Sequence, residues 1–370
     1  MTPEQVEIQL VAIVVAAACA LPGVFLVLRK MAMMSDAISH AILPGIVIAF
    51  FITEDLSSPW LILGAALTGV LTVALVELLN RSRLVKEDAA IGLVFPALFS
   101  IGVILIARYA GDVHLDTDAV LLGELAFAPF DRLVVNGFDL GPRALYVMGV
   151  IGLLNAAFIT LFYKELKLAT FDAGLAAALG FMPGLLHYGL MTLVSLTAVG
   201  AFDAVGSILV VALMIGPPVT AYLLTDRLAV MIGISMALGA AAAVAGYWLA
   251  HWLDASIAGA MATAVGLLFG LAFLFAPDRG VVSVVRRRRR QRWRFAVKML
   301  TIHLLHHEGG PHEARECRAD HLQEHLNWEA PFAERVLREA REAGLIRKED
   351  GRLHLTEAGR ALAREAIVQA

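Results

Sequence analysis

From its first residues to about Pro277, this chain is a succession of apolar runs, each close to the length that crosses a lipid bilayer. A hydrocarbon core is ~30 Å thick and a helix rises ~1.5 Å per residue, so ~20 apolar residues make one span. Backbone buried in lipid must satisfy its own hydrogen bonds, which leaves the helix as the form such long runs take. We read about nine spans, near 6–28, 32–53, 59–79, 90–108, 143–163, 184–200, 203–224, 228–250 and 256–276. The sixth and seventh nearly touch, divided by a short turn around Gly200 to Asp203, so eight or ten spans stay open. The first run lacks a basic leader, carrying only Glu4 and Glu7 before Leu10, and reads as a retained span rather than a signal peptide.

Composition agrees. Hydrophobic residues make up 59% and charged residues 17%, against roughly half and a quarter in soluble domains. The average conceals a division, because the chain from Arg286 onward has the charged composition of a soluble domain. We therefore expect an all-α polytopic membrane domain of about 8–9 helices over 1–280, a basic linker at 281–292, and a small α+β domain over 293–370. Cys19 and Cys317 lie in different segments and imply no disulfide framework.

Basic residues in short loops mark the cytoplasmic side. Arg29 and Lys30, then Arg81, Arg83 and Lys86, then Lys164 and Lys167, then Arg227, and finally Arg286 to Arg290 follow alternate spans. Acidic loops alternate with them: Glu54 and Asp55, then Asp112, Asp116 and Asp118, then Asp254. The pattern predicts a plasma-membrane protein with its N-terminus outside and its C-terminal domain in the cytoplasm. Arg108, Arg132 and Arg143 run against it. The run Arg286 to Arg290 suits an anchor at anionic lipid headgroups.

Ionisable groups inside spans cost roughly 2.5–3.5 kcal/mol each on insertion scales, so those present need a reason. Asp36 and His40 lie four residues apart on one helix face. A carboxylate and an imidazole suit a first-row divalent ion. Pro44-Gly45 follows and loosens the helix where it would line a cavity. The chemistry alone leaves a metal station and a structural Asp–His hydrogen bond as equal readings. His187 and His251 at span ends, and Glu77 and Asn155 inside spans, read as ordinary polar contacts. Asp116, Asp118 and Asp203 are candidates for an outer entrance.

Several segments, in order, resemble the permease family of ABC importers for manganese, zinc and iron. They are MSDAISHAILPGIVIAF at 34–50, EDAAIGLVFPALFSIGVILI at 87–106, LLGELAF at 121–127, KELKLATFDAGLAAALG at 164–180 and AVGSILVVALMIGPPVTAYLL at 204–224. The resemblance implies that Asp36 and His40 are the metal ligands of the transport path. It also implies that Lys164, Glu165, Phe171 and Asp172 belong to a segment that docks on an ATPase subunit. Further implied partners are an extracytoplasmic metal-delivery protein and a second permease copy. The cargo would be manganese, zinc or iron, with manganese favoured, and no cofactor would be bound permanently. No Gly-x-x-x-x-Gly-Lys-Ser/Thr loop occurs, so ATP hydrolysis is expected in a separate subunit and this chain is not expected to be an enzyme. An ion-gradient-driven carrier would show internal repeats, and none is clear.

The C-terminal residues 293–370 follow the order helix, helix, helix, hairpin, helix, with Asp350-Gly351 as the hairpin signal. The ending GLI, charged hairpin, LTEAGRALA resembles the winged-helix domain of metal-dependent, diphtheria-toxin-repressor-like regulators. Acids and bases mix almost evenly here, unlike the basic stripe of a DNA binder. We therefore favour a regulatory or interaction role over DNA contact or a membrane-tethered regulator. Seven of the 11 histidines lie in this part. Cys317, Asp320, His321 and His325 are candidates for a regulatory metal site, the first three in a Cys-x-x-Asp-His run similar to one in that regulator family.

Overall fold

The structure is a computed structural model that describes residues 2–54, 58–109, 125–135, 138–311, 313–318, 326, 328–349 and 351–368. It divides into two compact units, Met1–Gly280 and Val281–Ala370.

The first unit holds nine helical segments among the described residues that are long and apolar enough to span a membrane. In order they are α1 (Pro3–Leu28), the pair α2 (Ala32–Ala41) and α3 (Leu43–Thr53), α4 (Pro59–Arg81), α5 (Glu87–Tyr109), α6 (Arg143–Leu161), α9 (Pro183–Val205), α10 (Ser207–Leu224), α11 (Leu228–Leu253) and α12 (Ile257–Phe275). Two short helices, α7 (Tyr163–Phe171) and α8 (Ala173–Ala178), lie between α6 and α9. The sixth span does not turn at Gly200 to Asp203. It runs on to Val205 and breaks at the single residue Gly206, whose φ of 77° is one that side-chain-bearing residues rarely adopt.

Helix α1 is the centre of the bundle and packs against α6, α9, α10 and α11. Helices in lipid gain little from burying apolar surface against one another and associate through close packing, which small residues permit. The stretch Ala16 to Gly23 supplies such residues, and Ala16, Ala18 and Ala20 are almost wholly buried. Gly23 lies so near α10 that a Cβ there would meet the Met214 carbonyl oxygen at 1.9 Å. That carbonyl belongs to the turn before Pro218, which has no N–H to donate to it. A similar vacancy in α1 is filled by a side chain. Pro22 cannot donate to the Ala18 carbonyl, and Asn155 of α6 does so instead, Nδ2 to O at 3.1 Å. The same amide donates to Thr197 of α9 at 2.8 Å. Asn155 thus joins three helices, as a lone intramembrane amide was expected to.

A hairpin of β1 (Arg132–Val135) and β2 (Phe138–Pro142) precedes α6. The sequence signal for it is Asn136-Gly137 between apolar residues. The hairpin accounts for one exception to the charge pattern. Arg132 pairs with Asp139 on the hairpin and with Glu7 of α1.

The second unit opens on α13 (Val281–His307). Residues 281–292, read as a linker, are the first turns of this helix. They contain no Gly or Pro, and arginine is a good helix former. A short α14 (Glu313–Glu316), α15 (Ala330–Glu342), the hairpin β3 (Ile346–Glu349) and β4 (Arg352–Leu355), and α16 (Glu357–Val368) follow. Of the second helix expected across 312–327, the described part is α14 alone. The hairpin has Glu349 opposite Arg352, with Gly351 at φ 76°. Its core gathers Ala296, Leu300 and Leu304 of α13 with Val336, Ala340, Ile346, Leu353 and Leu355. A guanidinium–ring pair adds to it, with Arg335 over Trp293 at 4.5 Å.

Candidate functional site

The span that carries Asp36 and His40 is two helices rather than one, with Ile42 as the junction. Pro44 has no N–H for the His40 carbonyl, so the regular ladder lapses there. The chain resumes through Gly45 and Ile46, whose amides both donate to the Ile42 carbonyl at 3.0 and 3.2 Å. Gly45 then lets α3 lie directly on α4, since a Cβ at that position would stand 2.2 Å from the Gly64 carbonyl oxygen. The break expected from Pro44-Gly45 is present, and it sits immediately after His40.

On this support the two candidate ligands meet. His40 Nε2 and Asp36 Oδ1 are 3.5 Å apart. An ion of the zinc or manganese type binds such atoms at ~2.0–2.2 Å, which at this separation gives a ligand–metal–ligand angle of roughly 110°. Both atoms therefore fit one ion without rearrangement. The side chains of His40 and Asp36 are 32% and 41% exposed, so the described residues cover both only in part. The ring of Phe95, 6.1 Å away between centroids, is the aromatic neighbour of His40. Among the described residues no third histidine, cysteine or carboxylate joins them.

Arg29, at the end of α1, organises the end of the bundle that carries the basic loops. Its Nε donates to Thr170 Oγ1 of α7 at 3.2 Å, and Nη1 lies 3.3 Å from His187 Nδ1. Burial lowers the Arg29 pKa. Glu77 of α4 accepts from Arg81 at 2.6 Å and from the Tyr188 hydroxyl of α9. Glu77 and His187, together with Asn80, Glu87, Met31 and Met34, line a cavity of about 190 Å³. His251, at the far end of α11, stacks on Tyr247 with ring planes 4° apart. Both histidines thus have ordinary partners, as expected of span-end residues.

The segment 164–180 forms α7 and α8, too short and interrupted to span. Asp172 caps α8, its carboxylate accepting from the Leu175 amide at 2.8 Å. Phe171 is 64% exposed, and Leu175 and Leu179 are exposed beside it in sequence. Lys164 is exposed and Glu165 half-buried. Asp203 stands in the last turn of α9, while Asp116 and Asp118 lie outside the described residues.

In the second unit Cys317 is 2% exposed and sits in the apolar core. Burial, with the nearby carboxylates of Glu313, Glu308 and Glu316, pushes its thiol up to about 11. Asp320, His321 and His325 lie outside the described residues.

Residues 5–276 match the ABC 3 transport family model. The chain belongs to that family, whose members are permease subunits of ABC transporters and are not enzymes themselves. It is 49% identical over 363 residues to the zinc transport system membrane protein TroD of Treponema pallidum, a match covering 98% of each chain. It is also 49% identical over 271 residues to the manganese transport system membrane protein MntD of Bacillus subtilis, covering 73% of this chain and 92% of that one. Among solved structures, PsaBC from Streptococcus pneumoniae in complex with Fab aligns with a TM-score of 0.62 at 30% identity, covering 75% of this chain and 94% of that one. The family match ends before the second unit begins, whereas the Treponema match extends through it.

Proposed function

We propose that this chain is the membrane permease of an ATP-driven importer for a divalent first-row metal ion, with Asp36 and His40 as ligands on the path. The observation that carries this reading is the pair itself, 3.5 Å apart at a helix break inside a span and only partly covered by the described residues. One chain supplies two ligands where such an ion takes four to six. Water and a second permease copy against the pair supply the rest. Manganese is our preferred cargo, with zinc and iron as alternatives. The names of the two relatives, one zinc and one manganese, do not choose between them, and aspartate and histidine serve all three ions.

The remaining parts take their roles from position. The N-terminus faces outward and the second unit lies in the cytoplasm, which puts the basic loops on the inside. Phe171, Leu175 and Leu179 present an apolar face to an ABC ATPase subunit, and Asp172 caps the short helix that carries Leu175. Arg29 links that segment, through Thr170, to the end of α1. Nucleotide-driven movement of α7 therefore reaches the central helix. The cavity lined by Glu77 and Glu87 offers oxygen ligands on the inner side. A metal-delivery protein docks outside, where Asp116, Asp118 and Asp203 form the entrance. The second unit has the helix, hairpin, helix order of a winged helix and acts as a regulatory or interaction module, not a DNA reader.

Uptake of radioactive manganese by Asp36→Ala and His40→Ala, each assembled with its ATPase in vesicles, tests the central claim. Each variant should lose at least nine-tenths of the wild-type rate. Wild-type uptake by both would remove the pair from the path.

A further inference from the structure

The second unit contains a group of ligand atoms that neither the family match nor the transport reading explains. His303 and His307 lie one turn apart on α13, with ring centroids 4.7 Å apart. Glu316 reaches the same place from α14. One ligand atom from each of the three lies within 4.8 Å of the other two. His303 is 8% exposed, while His307 and Glu316 are half-buried.

Burying an imidazole beside Leu300 and Leu304 is costly unless its nitrogens are used. A contact from His303 Nε2 to the Glu316 carbonyl at 3.2 Å engages one of them. The His307 imidazole and the Glu316 carboxylate come to the same point. Two imidazoles and a carboxylate form a donor set that takes zinc or a similar first-row divalent ion, often with a backbone carbonyl orienting one ring. Tetrahedral ligation needs ligand atoms roughly 3.4 Å apart, so closing from 4.8 Å asks for about 1.4 Å of side-chain movement. Rotation of the half-buried Glu316 and His307 supplies that.

We propose that His303, His307 and Glu316 form a binding site for a first-row divalent metal ion within the second unit. The ion would tie α13 to the 313–318 segment. That segment is itself fastened to β4, because the Leu353 amide donates to the Cys317 carbonyl at 2.8 Å and Arg318 bridges Arg352. Metal occupancy therefore reaches the hairpin. Combined with the import reading, on which this last step rests, the unit reports the cargo ion's concentration on its own side of the membrane.

The test uses the purified full chain carrying Asp36→Ala and His40→Ala, which removes the proposed path ligands, and zinc chloride as the probe. This background should still bind one zinc per chain by calorimetry. Adding His307→Gln and Glu316→Gln should weaken that binding at least tenfold, with an unchanged far-ultraviolet circular dichroism spectrum showing that the fold persists. Hydrogen exchange at 313–318 should slow on adding zinc to the background chain and not to the further variant. Absence of zinc binding at micromolar concentration in the background chain would overturn the proposal. So would binding that survives His307→Gln and Glu316→Gln. Both outcomes are independent of whether Asp36 and His40 carry transport.

Discussion

Gly23→Ala is the substitution whose effect the packing of α1 defines most sharply. The added methyl would stand 1.9 Å from the Met214 carbonyl oxygen, 2.9 Å from its carbon and 3.2 Å from Pro218 Cγ. Ordinary contact between a methyl carbon and a carbonyl oxygen is about 3.3 Å, so α1 and α10 would have to part by more than 1 Å. The obstacle is backbone on one side and a proline ring on the other, neither of which can rotate away. Overpacking a close-packed interior costs about 1–3 kcal/mol, and a clash with fixed backbone belongs at the upper end. Gly149→Ala is the matched control. Nothing lies within 4 Å of a Cβ built there, and alanine in a helix interior is favoured over glycine by up to about 1 kcal/mol. The two variants should therefore fall on opposite sides of wild type and differ from each other by about 3–4 kcal/mol. Thermal unfolding of each purified chain in one detergent, followed by circular dichroism, measures the order. A Gly23→Ala chain that melts with wild type would show that α1 and α10 do not meet this way, and the central placement of α1 would fall with it.

Asn155→Leu should destabilise the bundle by about 1–2 kcal/mol, because it strands the Ala18 carbonyl that Pro22 cannot serve; an unchanged denaturation midpoint would deny that role. Cys19 and Cys317, 0% and 2% exposed, should resist a maleimide in the folded chain and both react after unfolding, as counted by mass spectrometry. Rapid labelling of Cys317 in the native protein would contradict its place in the core. Phe171→Asp should weaken ATPase association and uptake together by at least tenfold while zinc and manganese binding to the permease persist; unchanged complex recovery on size exclusion would move the docking face elsewhere.

Membrane spans were legible because lipid imposes a length and a composition on each of them, and both are written locally. The Asp36 and His40 pair was legible for a similar reason, since spacing of four places two side chains on one helix face whatever surrounds them. Pro44 announced the break, and the broken ladder is there. The division between sixth and seventh spans was placed three to six residues early, because glycine and aspartate alone do not fix a bend. The left-handed φ of Gly206 does. The β1–β2 hairpin had a local signal in Asn136-Gly137 that the surrounding loop obscured.

Non-local partners were not legible. The sequence by itself determined a polytopic helical domain, a charged C-terminal unit, a candidate ligand pair and the segment that interrupts the spans. Tertiary structure decided that α1 is the central helix, that Asn155 serves a carbonyl 137 residues away, and that Arg29 joins α1 to the segment bearing Phe171. It also decided that Cys317, read as a ligand candidate, lies among leucines while Glu316 beside it turns toward two histidines. The physical reason is common to all of these. Periodicity and hydrophobicity act over one turn or one span, whereas a close approach or a shared ligand point depends on which helices the folded chain brings together.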